Sequence, residues 1–330
     1  MARKRLLFVH TGGTLGMLAE GAPGPLAPSD YAENLLPYVR GLEDRFEIDG
    51  ERLCNLDSSD MGPAHWESLA DLIADRMDHY DGFVVLHGTD TMAYTASSLS
   101  LVLKNLPKPV VLTGSQRPIA QVRTDGRTNL IHSAICAGLD LPEVGLYFGT
   151  HLFRGNRTTK VSIQSYEAFE SPNFPPLAEL GVDIQPGETP LRPDGPFTLR
   201  TGFNDKVMVL YLFPGIRPGS LRVSVDAGAE GIVLLGFGAG NVPLEGWPEA
   251  IAEATEAGVP VVVRSQCLVG TSNLTWYKGG AEAAKAGALC ARDMTIETAI
   301  VRTMFLLAQT KDAAGFREAW SQPIAGEVTA

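Results

Sequence analysis

The chain has 330 residues, of which 45% are hydrophobic and 20% charged, and a formal net charge of -11. That apolar content excludes a disordered chain, and the acidic balance excludes nucleic acid as the main partner, because phosphate binding needs clustered Lys and Arg. At roughly 100–200 residues per domain, the length predicts two domains.

The N-terminus begins with the basic stretch Ala2-Arg3-Lys4-Arg5, like the n-region of a secretory signal. The apolar run that follows, Leu6 to Val9, falls short of the roughly 7–15 residues of an h-region, and no small-residue cleavage site comes after it. No stretch approaches the ~20 apolar residues of a membrane helix, so no membrane partner is expected. Residues 4–10, 52–56, 82–87, 109–113 and 144–148 are predicted strands. They are continuous apolar runs, which predicts burial on both faces, as in a parallel sheet under helices. Helical patterns separate them at 31–42, 64–79, 91–105 and 128–138. In the last, Leu130, Ile131, Ala134 and Ile135 form one apolar stripe. This alternation predicts a doubly wound, mainly parallel α/β domain over residues 1–185.

Residues 186–205 are rich in proline and glycine without sustained periodicity, and read as a linker. Strand patterns then return at 207–213, 231–235 and 260–264, with helices at 247–256 and 295–309. Residues 206–330 are therefore predicted to form a second, smaller α/β domain with a parallel sheet. The four cysteines, Cys54, Cys136, Cys267 and Cys290, show neither CxxC nor Cys/His metal spacing. They read as free thiols of a reducing, cytoplasmic compartment, and no metal site is expected.

In open parallel sheets, ligands bind outside the carboxyl ends of the strands. Three such ends carry dense polar groups: Thr11-Gly12-Gly13-Thr14, Asp57-Ser58-Ser59-Asp60, and His87-Gly88-Thr89-Asp90-Thr91. In the first, two glycines allow a tight turn and close approach of a ligand, which makes Thr14 a candidate nucleophile or donor. An ordinary strand-to-loop turn with a capping threonine fits it as well. A phosphate loop does not, because no Gly-Lys-Ser/Thr closes the motif. Ser58 and Ser59 fit a helix cap and also a carboxylate site. Thr89 and Asp90 fit a cap, or a hydroxyl that does chemistry beside a carboxylate holding a cation. Lys160, after Thr158-Thr159, fits a solvated hairpin lysine. With no HExxH and no G-x-S-x-G present, it is also the candidate activator of a hydroxyl nucleophile. Gly236-Phe237-Gly238-Ala239-Gly240-Asn241 fails the dinucleotide spacing at its third glycine and reads as a tight loop at the domain interface.

Taken together, these groups resemble the bacterial-type L-asparaginase family, which also includes glutaminase-asparaginases and a tRNA-amidotransferase subunit. The T-G-G-T string at 11–14 and H-G-T-D-T-M at 87–92 match its two signatures. The likeness extends through Thr113-Gly114-Ser115-Gln116, Asp125, Asn129 and Thr159-Lys160 into the second domain, and Asp57-Ser58-Ser59-Asp60-Met61 is similar to the cytosolic, type I branch. The resemblance implies an amidohydrolase without metal or organic cofactor, acting on L-asparagine as a homodimer or homotetramer. It implies that Thr14 attacks the side-chain amide and that Thr89, Asp90 and Lys160 handle protons, with Asp90 also reading the α-amino group. It implies a substrate pocket of Gly13, Asp57, Ser58, Ser59, Gly88, Thr89, Asp90 and Ser115, with Ser58 at the α-carboxylate. Two other readings stand beside it: the amidohydrolase subunit of a tRNA-dependent amidotransferase, and a non-enzymatic protein binding an acidic amino acid. The amidotransferase subunit usually carries an extra N-terminal domain, for which a first motif at residue 11 leaves no room.

Two departures carry expectations. The family's loop tyrosine after the first motif is missing from residues 16–29, where Pro25 stands near its place and Tyr31 falls in the next predicted helix. That glycine- and proline-rich loop is expected to act as a lid. Some cytosolic relatives bind a second asparagine between subunits through an arginine and a cysteine. Cys267 and Asn241 match that site, but Leu235 stands at the arginine, so allosteric activation is expected to be weak or absent.

Overall fold

The computed structural model describes residues 3–19, 26–28, 36–188 and 190–329. The chain forms two compact units: Met1–Ser171 with Pro175–Thr201, and Pro172–Phe174 with Gly202–Ala330. The first is built on an eight-stranded sheet. In chain order its strands are β1 (Lys4–Gly12), β2 (Phe46–Leu56), β3 (Gly82–Leu86), β4 (Val110–Thr113), β5 (Val144–Phe148), β6 (His151–Arg154), β7 (Ala178–Leu180) and β8 (Ile184–Pro186). Across the sheet they run β8-β7-β6-β5-β4-β3-β1-β2. The five strands β1 to β5 are parallel, and β6, β7 and β8 add antiparallel neighbours beyond β5.

Every residue of β3, β4 and β5 is buried, as expected of strands covered on both faces. Helices α1 (Pro63–Arg76), α2 (Met92–Val102) and α3 (Gly126–Ala137) make the crossovers. On α3, Leu130 and Ala134 are fully buried in a core cluster with Leu6, Val84 and Val111, and Ile131 and Ile135 pack against it. Strand β2 begins six residues before the predicted 52. Its outer edge is unpaired within the sheet, and its partly exposed residues break the apolar run. The predicted helix at 31–42 needs a correction. Residues 31–35 lie outside the described ones, and Leu36–Tyr38 is a single 3-10 turn followed by bends. Pro37 removes a helix donor, and Gly41 adopts φ +94°, which an α-helix cannot continue through.

Residues 187–201 stay with the first unit. Thr198–Leu199 pairs with Leu103–Lys104, and Arg200 N donates to Val102 O at 2.9 Å. The second unit holds a four-stranded parallel sheet, β9 (Val207–Tyr211), β10 (Gly231–Gly236), β11 (Val261–Ser265) and β12 (Leu289–Cys290), in that order. Five helices accompany it: α4 (Gly219–Asp226), α5 (Trp247–Glu256), α6 (Lys278–Lys285), α7 (Ile296–Gln309) and α8 (Ala313–Trp320). The spacing of Trp247, Ile251 and Ala254 puts one face of α5 into a core cluster with Ile232, Leu234, Val261 and Val263. Pro172–Phe174 belongs here because Asn173 donates to the Leu268 and Asp293 carbonyls, at 3.2 and 3.1 Å, and accepts from Gly270 N at 2.7 Å. Among the described residues no helix is long and apolar enough to cross a membrane.

Candidate active site

Because β1 to β4 are parallel, the residues that follow them leave one edge of the sheet together. These are 13–16, 57–60, 87–91 and 114–117. Glycines let the first three loops touch. Gly12 and Gly13 have φ +109° and +89°, a region that disfavours any Cβ. A Cβ on Gly12 would lie 2.3 Å from Leu56 O, and one on Gly13 would lie 2.4 Å from Gly88 N. A Cβ on Gly88 would in turn lie 2.6 Å from the Ser58 side chain. The strings at 11–14, 57–60 and 87–91 are therefore packed closely, with no room for a side chain at these glycines.

Thr14 opens a 3-10 turn, Thr14–Gly16, and is half-buried. Gly16 N donates to Gly13 O at 3.2 Å, and buried Leu15 accepts from Ile119 N at 3.1 Å, which anchors the turn. In the second loop, Asp57 caps the turn Ser58–Asp60 by accepting from Ser59 N at 2.9 Å and Ser59 Oγ at 2.8 Å. These two donors hold its carboxyl below the ordinary carboxylate value. Ser58 is buried and its carbonyl accepts from Thr91 Oγ1 at 2.7 Å, tying the second loop to the third.

His87 supports the third loop. Its ring is fully buried, with Nδ1 2.7 Å from Gly88 O and Nε2 2.9 Å from Thr95 Oγ1. The carbonyl can only accept, so Nδ1 carries the proton and Nε2 accepts from the Thr95 hydroxyl. Burial pushes its pKa down to about 4. A neutral histidine with both nitrogens engaged holds the loop and is unsuited to serve as a base.

Lys160 lies in a two-residue strand, Thr159–Lys160, paired antiparallel with Phe169–Glu170. Its Nζ lies 2.7 Å from Thr89 Oγ1 and 2.6 Å from Asp90 Oδ1. The Lys160 side chain is 16% exposed and that of Asp90 67%, so the ammonium is sheltered while the carboxylate faces solvent. The fourth loop contributes Gln116, whose Oε1 lies 3.4 Å from Thr89 Oγ1. Buried Asp125 accepts from Gln116 N at 2.8 Å, Arg117 N at 3.1 Å and Asn129 Nδ2 at 3.2 Å. Burial pushes the Asp125 carboxyl up, against the pull of these hydrogen bonds.

The fold thus gathers Gly13, Thr14, Ser58, Gly88, Thr89, Asp90 and Lys160. Asp57 and Ser59 occupy the exposed side of the same cluster. Ser115 is buried, and its hydroxyl donates to Arg117 O at 2.6 Å. Tyr31 and Pro25 lie outside the described residues. In the second unit, Leu235 is buried in β10, Asn241 Oδ1 accepts from Gly280 N at 3.0 Å, and Cys267 is exposed. Residues 236–241 close on themselves, Asn241 N donating to Phe237 O at 2.7 Å. Gln116 carries no expected role in the sequence. The signal present is a long polar residue three positions after the buried strand end at Thr113, within a matched string.

Chemically, the cluster offers a hydroxyl on a glycine turn and a second hydroxyl touched by a sheltered ammonium, with a carboxylate beside it. That set suits attack on an amide without a histidine base. Comparison with known proteins agrees in kind. The model of the asparaginase N-terminal domain matches residues 5–191, and that of the glutaminase/asparaginase C-terminal domain matches residues 206–319. The chain is 38% identical to L-asparaginase 1 of Escherichia coli (strain K12), over 100% of this chain and 99% of that protein. It is 33% identical to a glutamyl-tRNA(Gln) amidotransferase subunit of Methanobrevibacter smithii, over 99% of this chain and 77% of that one. The crystal structure of L-asparaginase I from Vibrio cholerae O1 biovar eltor superposes with a TM-score of 0.90 at 37% identity, covering 100% of both chains.

Proposed function

This chain belongs to the asparaginase family, and on that premise we propose that it is an L-asparaginase, hydrolysing L-asparagine to L-aspartate and ammonia through a threonine acyl-enzyme. The observation that carries the reading is the Thr89–Lys160–Asp90 contact set on a loop packed directly against the Gly13–Thr14 turn. Thr14 Oγ1 attacks the side-chain amide carbon and gives up its proton. The tetrahedral oxyanion is held by main-chain N–H groups beside the glycines, each such donor being worth roughly 2.7–4 kcal/mol in other enzymes. The C–N bond breaks, ammonia leaves with a proton, and water then cleaves the Thr14 ester. The Thr14 proton passes through the Thr89 hydroxyl to Lys160, which is the free amine in this step, and the resulting ammonium returns it to the leaving nitrogen. Lys160 takes up Asp90 Oδ1, so Oδ2 is the oxygen offered to the substrate's α-ammonium. Ser58, with the N–H groups around it, meets the α-carboxylate, and Asp57, Ser59, Gly13, Gly88 and Ser115 complete the pocket. Hydroxyl nucleophile, lysine amine and carboxylate suffice for this chemistry without metal or organic cofactor.

The likeness to type I enzymes supports a cytoplasmic homodimer or homotetramer that acts on the free amino acid and not on nucleic acid. The similarity to the archaeal amidotransferase chain favours a second reading, an ammonia-supplying subunit of a tRNA-dependent amidotransferase. One assay separates these. The purified protein alone, with no tRNA, is expected to release ammonia from L-asparagine. Release that requires tRNA and a second protein would favour the amidotransferase reading. Aspartate binding with no ammonia from either L-asparagine or L-glutamine would sink the enzymatic one.

A further inference from the structure

Gln116 bridges Thr89 and the hairpin that carries Lys160. Its Nε2 lies 3.2 Å from both the Ser162 and the Ser165 carbonyls. Those carbonyls belong to the connection between Thr159–Lys160 and Phe169–Glu170, the hairpin that carries Lys160. Carbonyls only accept, so both amide hydrogens are directed at them and the amide oxygen is the end that meets Thr89. That oxygen cannot donate, so the Thr89 hydroxyl donates to Gln116. Lys160 donates to the same Oγ1 from the other side, at 2.7 Å. Together these bonds pin the Thr89 oxygen; the relay itself runs with Lys160 as the free amine, which takes the Thr89 proton as the Thr89 oxygen receives that of Thr14. At 3.4 Å the Gln116 contact is long for an O–H···O bond, and such contacts in free enzymes tighten when substrate closes the site.

Gln116 is itself held. Its main-chain N–H donates to Asp125, the next N–H donates to the other oxygen of that carboxylate, and Asn129 links Asp125 to Gly114 O at 3.0 Å. Asp125 is 7% exposed and Asn129 1%, so the frame is buried at the start of α3. We propose that Gln116 is a positioning residue: it holds the Thr89 oxygen in place for the proton relay and ties it to the hairpin that carries Lys160.

The proposal rests on the assignment of Thr89 and Lys160 to proton handling, and its test separates the two claims. Gln116→Met keeps the side chain's length and removes both sets of bonds. On L-asparagine its kcat should fall roughly 10- to 100-fold while KM moves by less than about three-fold, because Gln116 acts through Thr89 and is not one of the groups assigned to hold the substrate. A kcat within about two-fold of wild type, or a loss expressed in KM alone, overturns the proposal. Thr89→Val and Lys160→Met are measured alongside. If they keep near-wild-type rates, the proton-handling assignment has failed. If they are severely impaired while Gln116→Met is not, that assignment stands and this inference alone falls.

Discussion

His87 makes a test of the loop frame that needs no substrate. Its ring is fully buried and neutral, and burial pushes its pKa from the ordinary 6.5 to about 4. Between those values the unfolded chain binds a proton that the folded one refuses, so stability rises with pH across the window and is complete above about 6.5. At about 1.4 kcal/mol for each tenfold change in proton affinity, the gap amounts to ~3 kcal/mol, lost as pH falls from 7 to 4. His87→Asn keeps a donor for Gly88 O but does not titrate. The variant should be less stable at neutral pH, by roughly 1–3 kcal/mol for the lost packing and the unpaired Thr95 hydroxyl. Its deficit should then shrink by ~3 kcal/mol on acidification, because only wild type loses the His87 contribution. Denaturant midpoints of both proteins between pH 7.5 and 4 measure this. The comparison cancels His10, which burial and then Arg52 also push down to about 4, and Asp125, whose raised carboxyl acts with the opposite sign. A deficit that stays constant with pH would show that the folded protein does not hold His87 neutral.

Gly13→Ala must place a Cβ 2.4 Å from Gly88 N at φ +89°. It should lose about 1–2 kcal/mol from backbone strain alone and roughly 100-fold in turnover as Thr14 shifts, and a variant with wild-type melting and rate would contradict the packed-loop account. For Asp90, a substrate lacking the α-amino group should lose more rate with wild type than with Asp90→Asn. Equal losses in both proteins would exclude a direct contact. The rate against asparagine concentration should be hyperbolic. Leu235 is buried strand, and the guanidinium of Arg264, its neighbour in register, donates to the Met294, Ser265, Cys267 and Leu268 carbonyls instead of offering a carboxylate site. A sigmoidal curve with asparagine bound beside Asn241 and Cys267 would overturn this.

The parallel strands were legible because continuous apolar runs report burial on both faces, and Val144–Phe148 matches its expected bounds at both ends. Strand β2 was half-missed because an edge strand with exposed residues carries no such run. Helices α4, α6 and α8, of eight residues each, are too short for periodicity to separate from loop. The strings around Thr14, Ser58 and Thr89 were readable as polar groups at strand ends. Their contact was not, since it depends on glycine approach at Gly13 and Gly88. Lys160 meets Thr89 across 71 residues of sequence, and spacing alone could not distinguish it from a solvated hairpin lysine. Gln116 escaped for the same reason: its function lies in where its amide points.

Ammonia release from L-asparagine by Thr14→Ala decides whether Thr14 forms the acyl-enzyme. Thr14 is half-buried at the start of a turn whose anchors are Gly13, Leu15 and Ile119, so its hydroxyl and methyl can be removed without disturbing the loop packing. Thr14→Ala should be a folded protein, with a denaturant midpoint close to wild type, that binds aspartate and releases no ammonia above background. A folded Thr14→Ala that keeps near-wild-type ammonia release would contradict the acyl-enzyme role of Thr14.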